Sequence, residues 1–293
     1  MHSNIQKWSL FIVLAFIWGS SFILMKEGMR YLSFFQVASL RIVASGLVLL
    51  PLTIKAFKKI PAKKIHWVFF SGALGSMIPS YLFCMAEMRI DSSLAGALNS
   101  LTPIFVIING ALFFNLKTSM QKIIGIAIAF LGCIVLFFSQ ASNINLSNGG
   151  FTLLIVIATF CYGMNVNLVQ RHLKEIPSLE IVSMAMFLNA IPALIILIFS
   201  GYFKLDFHKT GVISSTGYAA ILGIASTAIA NIMFYVLIKK AGPVFSAMVT
   251  YGIPFVAMIW GLLYGEKIGP FQIFGLCVIL IGVYYANRRI KLA

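Results

Sequence analysis

Acidic residues are scarce in this 293-residue chain: 7 Asp and Glu stand against 22 Lys and Arg, and only 10% of the sequence is charged. Neither the first nor the sixth apolar run carries a carboxylate at mid-length. A carrier that exchanges protons for a cation needs such a titratable acid in its binding chamber. Its absence argues against that class, and would leave any carrier either facilitated or coupled through a less obvious group. The four cysteines (Cys84, Cys133, Cys161, Cys277) all fall inside apolar runs, where a thiol packs as a small hydrophobe, so no disulfide framework is expected. The four histidines (His2, His66, His172, His208) sit at run ends or in loops without ligand spacing. No metal site, cofactor or membrane-embedded catalytic centre is expected from them.

What the chain has in abundance is apolar length. Hydrophobic residues make up 60% of it, and they come in continuous rather than alternating runs. Continuous runs predict helices, because the strands of a membrane barrel would alternate outward apolar with inward polar residues. A hydrocarbon core of ~30 Å takes ~20 residues per helix, so the chain holds about ten spans and no soluble domain. They are expected at 8–25, 35–54, 66–86, 93–114 and 122–139, and at 150–169, 179–200, 213–238, 244–264 and 271–287. The first run reads as a retained span rather than a cleaved signal: Trp8 suits the interface, and no small-x-small cleavage site follows.

Lys and Arg collect at the N-terminus (Lys7), in alternate loops (Lys55 to Lys64, Lys117 and Lys122, Arg171 and Lys174, Lys239 and Lys240) and in the tail (Arg288, Arg289, Lys291). The positive-inside bias therefore puts both termini in the cytoplasm. The formal charge of +15 is a topogenic signal facing anionic headgroups, not a nucleic-acid footprint.

The chain is also written twice. Aligning Pro103 with Pro254 brings Gly72 onto Gly223, Gly75 onto Ser226, Ser80 onto Asn231, Asn99 onto Thr250 and Gly110 onto Gly261. After a one-residue slip, Gly125 falls on Gly275 and Gly132 on Gly282. Two units, 1–143 and 144–293, follow. If each holds five spans, the second enters the bilayer inverted, as in many secondary transporters.

Candidate contact residues come from that duplication. Asn99 and Thr250 lie on one-sided stripes, and an amide in hydrocarbon needs partners that a cavity supplies, which also selects Asn231. Trp18 and Tyr162 occupy matching places in the first spans of the two units, while Tyr81 and Tyr235 add aromatic faces with polar tips. Pro103 and Pro254 are expected to kink their helices and free carbonyls. Gly242 with Pro243, and Asp91-Ser92-Ser93, form corners where the halves could hinge. For Gly72, Gly75, Gly110 and Gly261 close helix packing is the expected role. Arg41 is the one charge clearly embedded, and it reads as a structural anchor or as an anion contact. Glu87, Asp91, Glu180 and Glu266 lie at span ends, within reach of headgroup solvation.

Phe16-Ile17-Trp18-Gly19-Ser20-Ser21-Phe22 followed by Lys26, Leu40-Arg41 with Leu49-Leu50-Pro51, Tyr264-Gly265-Glu266, and Gly275-Leu276 through Leu280-Ile281-Gly282-Val283 together resemble the EamA family of the drug/metabolite transporter superfamily. The resemblance spans essentially the whole chain. It implies a ten-helix bacterial inner-membrane carrier of two inverted five-helix repeats, exporting amino acids or other small metabolites. One departure is Asn115, where the family usually has Glu after the fourth span. The expected function is export of small neutral or zwitterionic metabolites by alternating access, with the fifth and tenth spans as scaffold. Export of drugs, nucleotide sugars or lipid-linked sugars, or a passive channel, are the alternatives. The partners are a small-molecule substrate and the lipid bilayer. Duplication makes a functional monomer sufficient in principle and leaves a homodimer open.

Overall fold

The computed structural model describes residues 2–90, 92–139, 149–263 and 269–287. Among them every regular element is helical: α1 (His2–Gly28), α2 (Phe34–Phe57), α3 (Ile65–Gly72), α4 (Ile78–Ala86), α5 (Ser92–Asn99), α6 (Thr102–Phe114), α7 (Met120–Ser139), α8 (Gly149–His172), α9 (Ser178–Phe199), α10 (Thr210–Ile221), α11 (Ala230–Ala241), α12 (Pro243–Ala247), α13 (Ile253–Leu263) and α14 (Pro270–Asn287). Two π-helical stretches, Ala73–Met77 and Leu222–Ile229, join α3 to α4 and α10 to α11 without interrupting the rod. A 3₁₀ turn, Met248–Tyr251, joins α12 to α13.

Seven helical stretches among the described residues are long and apolar enough to cross a bilayer: Ile5–Gly28, Phe34–Phe57, Ala62–Ala86, Gly150–His172, Ser178–Phe199, Thr210–Ala241 and Pro243–Trp260. The expected runs at 93–114, 122–139 and 271–287 are met by the shorter apolar helices Thr102–Phe114, Met120–Val135 and Ile273–Ala286. In the first of these the cause is a break at Ser100 and Leu101. The boundary at 143/144, Asp91 of the Asp91-Ser92-Ser93 corner, Tyr264-Gly265-Glu266, and the basic tail lie outside the described residues.

The helices bury their small and polar sides and show bulky apolar ones. On α9, Ala185, Asn189, Ala193 and Leu197 are buried, while Ile191, Leu194, Ile195 and Ile198 are exposed. Helical spacing separates the two faces, and an outward apolar face is what lipid as solvent selects. α2 is started by a Ser33 and Gln36 capping box, and Gln36 Nε2 also donates to Ser200 O at 3.0 Å, fixing α2 against the end of α9. Thr53 Oγ1 donates to Ser183 O at 3.0 Å farther along the same seam. α7 and α14 pack on one another through glycines. A Cβ on Gly132 would stand 2.7 Å from Gly275 O, and one on Gly282 would stand 2.6 Å from Gly125 O.

One end of the bundle is gathered by its basic residues. Lys59 pairs with Glu180 at 2.7 Å, Lys64 Nζ donates to His172 O at 2.7 Å, Lys239 Nζ donates to Ile176 O, and Trp67 stacks on His172 with centroids 3.9 Å apart. Glu180 is thus paired with a cation through Oε1 and largely buried, where headgroup solvation was the expectation. Asn115 ends α6 in the left-handed conformation, φ 51°, and a short amide side chain tolerates that better than Glu does.

The offset that superposes Pro103 on Pro254 also superposes local geometry. It carries Ala73 and Met77 onto Ile224 and Ala228, both inside the second π-helical stretch, and Ser100 and Leu101 onto Tyr251 and Gly252. Each half thus has a π-helical stretch and then a broken helix at corresponding places.

Candidate functional site

A cavity opens where the π-helical stretches and the broken helices converge. Its wall takes Trp18, Ser21, Phe22 and Met25 from α1, Arg41 from α2, Gly75 and Ser76 from the first π-helical stretch, and Phe83 from α4. Asn99 and Thr102 come from the ends of α5 and α6, and Tyr162, Asn165 and Val166 from α8. Ser226, Asn231, Phe234, Thr250 and Ile253 complete it.

Most of these residues come in corresponding pairs. Gly75 and Ser226, Phe83 and Phe234, Asn99 and Thr250, and Thr102 and Ile253 share the offset of the two prolines. Trp18 and Tyr162, Ser21 and Asn165, and Phe22 and Val166 share the register of the first helix of each half. Arg41 has no cationic counterpart: Glu180 is the one charged residue of α9.

The polar members are held by specific hydrogen bonds. Trp18 Nε1 donates to Ser226 O at 3.0 Å, and its ring meets Phe234 edge-on at 5.0 Å. Asn231 Nδ2 donates to Ser76 Oγ at 2.8 Å, leaving its Oδ1 as an acceptor. Asn165 Oδ1 accepts from the Tyr235 hydroxyl at 3.1 Å. Thr102 and Thr250 each donate to a carbonyl one turn back, Asn99 O at 2.8 Å and Ala247 O at 2.9 Å. Arg41 Nε donates to Thr227 Oγ1 at 2.6 Å. Phe83 sits between Phe22 and Tyr162, 6.1 Å from each. Among the described residues the wall carries one cation and no carboxylate.

Five of the aromatic and polar candidates named from sequence, Trp18, Asn99, Tyr162, Asn231 and Thr250, lie on this wall, as does Arg41. Tyr81 does not: its hydroxyl shares a hydrogen bond with the buried Ser39 Oγ at 2.7 Å, and its ring meets Phe35. Tyr235 is fully buried behind the wall and reaches the cavity only through Asn165. Pro103 and Pro254 are corrected from mid-helix kinks to helix starts. Each lies in the first turn of the helix after a break, where the missing N–H leaves no intrahelical bond unmade. Gly242 (φ 85°) ends α11 and Pro243 begins α12, and both line a second, separate cavity with Lys117, Lys122, Asn167 and Gln170. Gly75 lines the central cavity and is also a close contact with α8, a Cβ there meeting Asn165 Nδ2, while a Cβ on Gly72 would stand 2.9 Å from Ala185 O.

Ser21, Phe22, Asn165 and Val166 escaped the sequence reading. Their signal was available: they follow Trp18 and Tyr162 by three and four residues, the spacing of one helical face. Other buried asparagines serve differently. Asn167 Nδ2 donates to Val106 O at 2.8 Å, Asn109 Nδ2 to Phe160 O at 3.1 Å and Asn189 Nδ2 to Phe69 O at 3.1 Å, tying helices together.

Known proteins agree with this architecture. The profile of the EamA-like transporter family matches residues 6–138 and again residues 151–288. An uncharacterised transporter of Archaeoglobus fulgidus is 27% identical over 97% of this chain and 99% of its own length. A Salmonella typhimurium protein described as a "probable amino-acid metabolite efflux pump" is 23% identical over 94% of this chain and 92% of its own. The inner membrane transporter YedA of Escherichia coli is 24% identical over 91% and 86%. A solved crystal structure superposes with a TM-score of 0.71 over 98% of this chain and 97% of its own, at 14% identity, sharing the fold. With the family profile covering both halves of a multi-pass helical membrane protein, the chain belongs to the EamA-like transporter family.

Proposed function

We propose that this transporter exports small neutral or zwitterionic metabolites, amino acids or related compounds, across the bacterial inner membrane by alternating access. In this reading the chain makes ten crossings as two inverted five-helix repeats, with both termini in the cytoplasm. The observation that carries it is the paired wall: corresponding residues of the two halves enclose one chamber, which is what a carrier rocking about a central site requires. The efflux-pump relative of Salmonella typhimurium supports the substrate class. The broken helices and the Gly242 and Pro243 corner are the places where backbone can turn without losing interior hydrogen bonds.

With no acid on the described wall, flux is uncoupled from protons in this reading. Counterflow in proteoliposomes tests both points. Preloaded amino acid should accelerate uptake of labelled amino acid without a pH gradient. Linear, non-saturating flux without counterflow would instead make the protein a channel, and flux driven strictly by a pH gradient would remove the uncoupled form.

A further inference from the structure

Arg41 is half-buried on the wall of the central cavity, and its chemistry there is incomplete. Nε is committed to Thr227 Oγ1 at 2.6 Å, and that bond fixes the plane of the guanidinium. Among the described residues no carboxylate pairs with it: the ion pairs there are Arg30 with Glu27 and Lys59 with Glu180. The two terminal nitrogens therefore form an oriented fork with no acceptor among the described residues, in a chamber walled by helices long enough to cross a bilayer. An uncompensated cation in such a place is costly unless it snorkels to the interface or meets an anion. Here the side chain is held at the chamber by Thr227 rather than released toward an interface.

We infer that Arg41 is the substrate's carboxylate site, and that the transported class is small monocarboxylates with an apolar body, zwitterionic amino acids foremost. This rests on the carrier reading and narrows its substrate. A planar fork with one edge occupied matches a carboxylate bidentately through the other. A single cation complements a single negative charge and leaves a multiply charged phosphate short of partners. Acceptors for an ammonium group stand on the same wall: the free Oδ1 of Asn231 and the lone pairs of the Thr102 and Thr250 hydroxyls, with the face of Trp18 beside them. Phe22 and Phe83 offer apolar surface for the remaining body.

The test compares acids with their amides on purified full-length protein. L-leucine, L-phenylalanine, L-methionine and 3-phenylpropionate are the acids, and leucinamide and phenylalaninamide the uncharged-end controls. Wild type should bind at least one acid tenfold or more tightly than its amide. Arg41→Gln should lose that preference while binding the amide no more weakly than wild type does, and Arg41→Lys should keep part of it. A residue needed only for folding would weaken acid and amide alike. The inference is overturned if Arg41→Gln keeps the acid preference, or if wild type binds acid and amide equally or binds none of the acids. Should Arg41→Gln fail to fold, the wild-type ratio and Arg41→Lys still decide. Binding of acids by wild type without counterflow in proteoliposomes would overturn the carrier reading and leave the Arg41 assignment standing.

Discussion

The halves of this protein meet in two contrasting ways. Along α7 and α14 they meet through glycines, with backbone against backbone and no room for a methyl group. Around the central cavity they meet through side chains, Trp18 facing Ser226, Asn231 bonded to Ser76, and Arg41 bonded to Thr227. The same duplication has thus produced a joint that cannot yield and a chamber whose wall can rearrange by rotamer. Close helix packing in lipid depends on small residues, whereas a solvated chamber needs polar groups with spare valence.

The sharpest way to break the contrast is one substitution made in both places. Gly282→Ala should cost about 3 kcal/mol, at the upper end for overpacking, because its new Cβ meets backbone that cannot step aside. Loss of monodisperse protein on size-exclusion chromatography and a lower melting temperature would report it. Gly75→Ala should instead stay folded and lose transport, since the atoms it meets belong to the Asn165 side chain. If both variants fold equally well, the joint and the chamber do not differ as described.

Next in size, Asn165→Leu should cut counterflow at least tenfold by removing a polar wall group and leaving the Tyr235 hydroxyl only the longer bond to Ser71 O at 3.3 Å, and Asn99→Leu should act comparably. Tyr235→Phe removes one buried hydrogen bond and should cost about 1 kcal/mol in thermal stability, with a few-fold loss of affinity. A Tyr235→Phe protein with wild-type affinity would mean that Asn165 is held by packing alone. Pro103→Ala and Pro254→Ala should change stability by under about 1 kcal/mol, since each proline occupies a first turn, yet slow transport by permitting helix across the break. Equal wild-type rates in both would misplace the moving parts. Smallest is Glu180→Gln: its partner Lys59 is mostly exposed, so the lost ion pair should cost at most about 1 kcal/mol, read as a slight shift in melting temperature.

Much of this was legible from residues because lipid imposes a simple code. Apolar runs gave the helices, and Pro103 and Pro254 marked the breaks, though as kinks rather than as starts of new helices. Pairing Trp18 with Tyr162 and Asn99 with Thr250 located the chamber, since duplication turns position into correspondence. Tyr81 stands off the wall because its hydroxyl bonds Ser39, a partner 42 residues away that no local spacing reveals. Tyr235 stands behind the wall because its hydroxyl serves Asn165, a partner 70 residues away that no local spacing reveals. For the same reason Arg41 could be seen as embedded but not as oriented: Thr227, which sets its plane, is 186 residues distant.

The paired π-helical stretches have a mechanical consequence. A wide turn holds one residue beyond what ordinary α-helical winding needs, and moving that surplus along the rod twists the segment it crosses by roughly 100°. Because Gly75, Ser76 and Ser226 sit within the two stretches, such a migration would swing polar atoms into or out of the chamber while both ends of each rod stay anchored. The molecule carries two such rotary elements, one in each half.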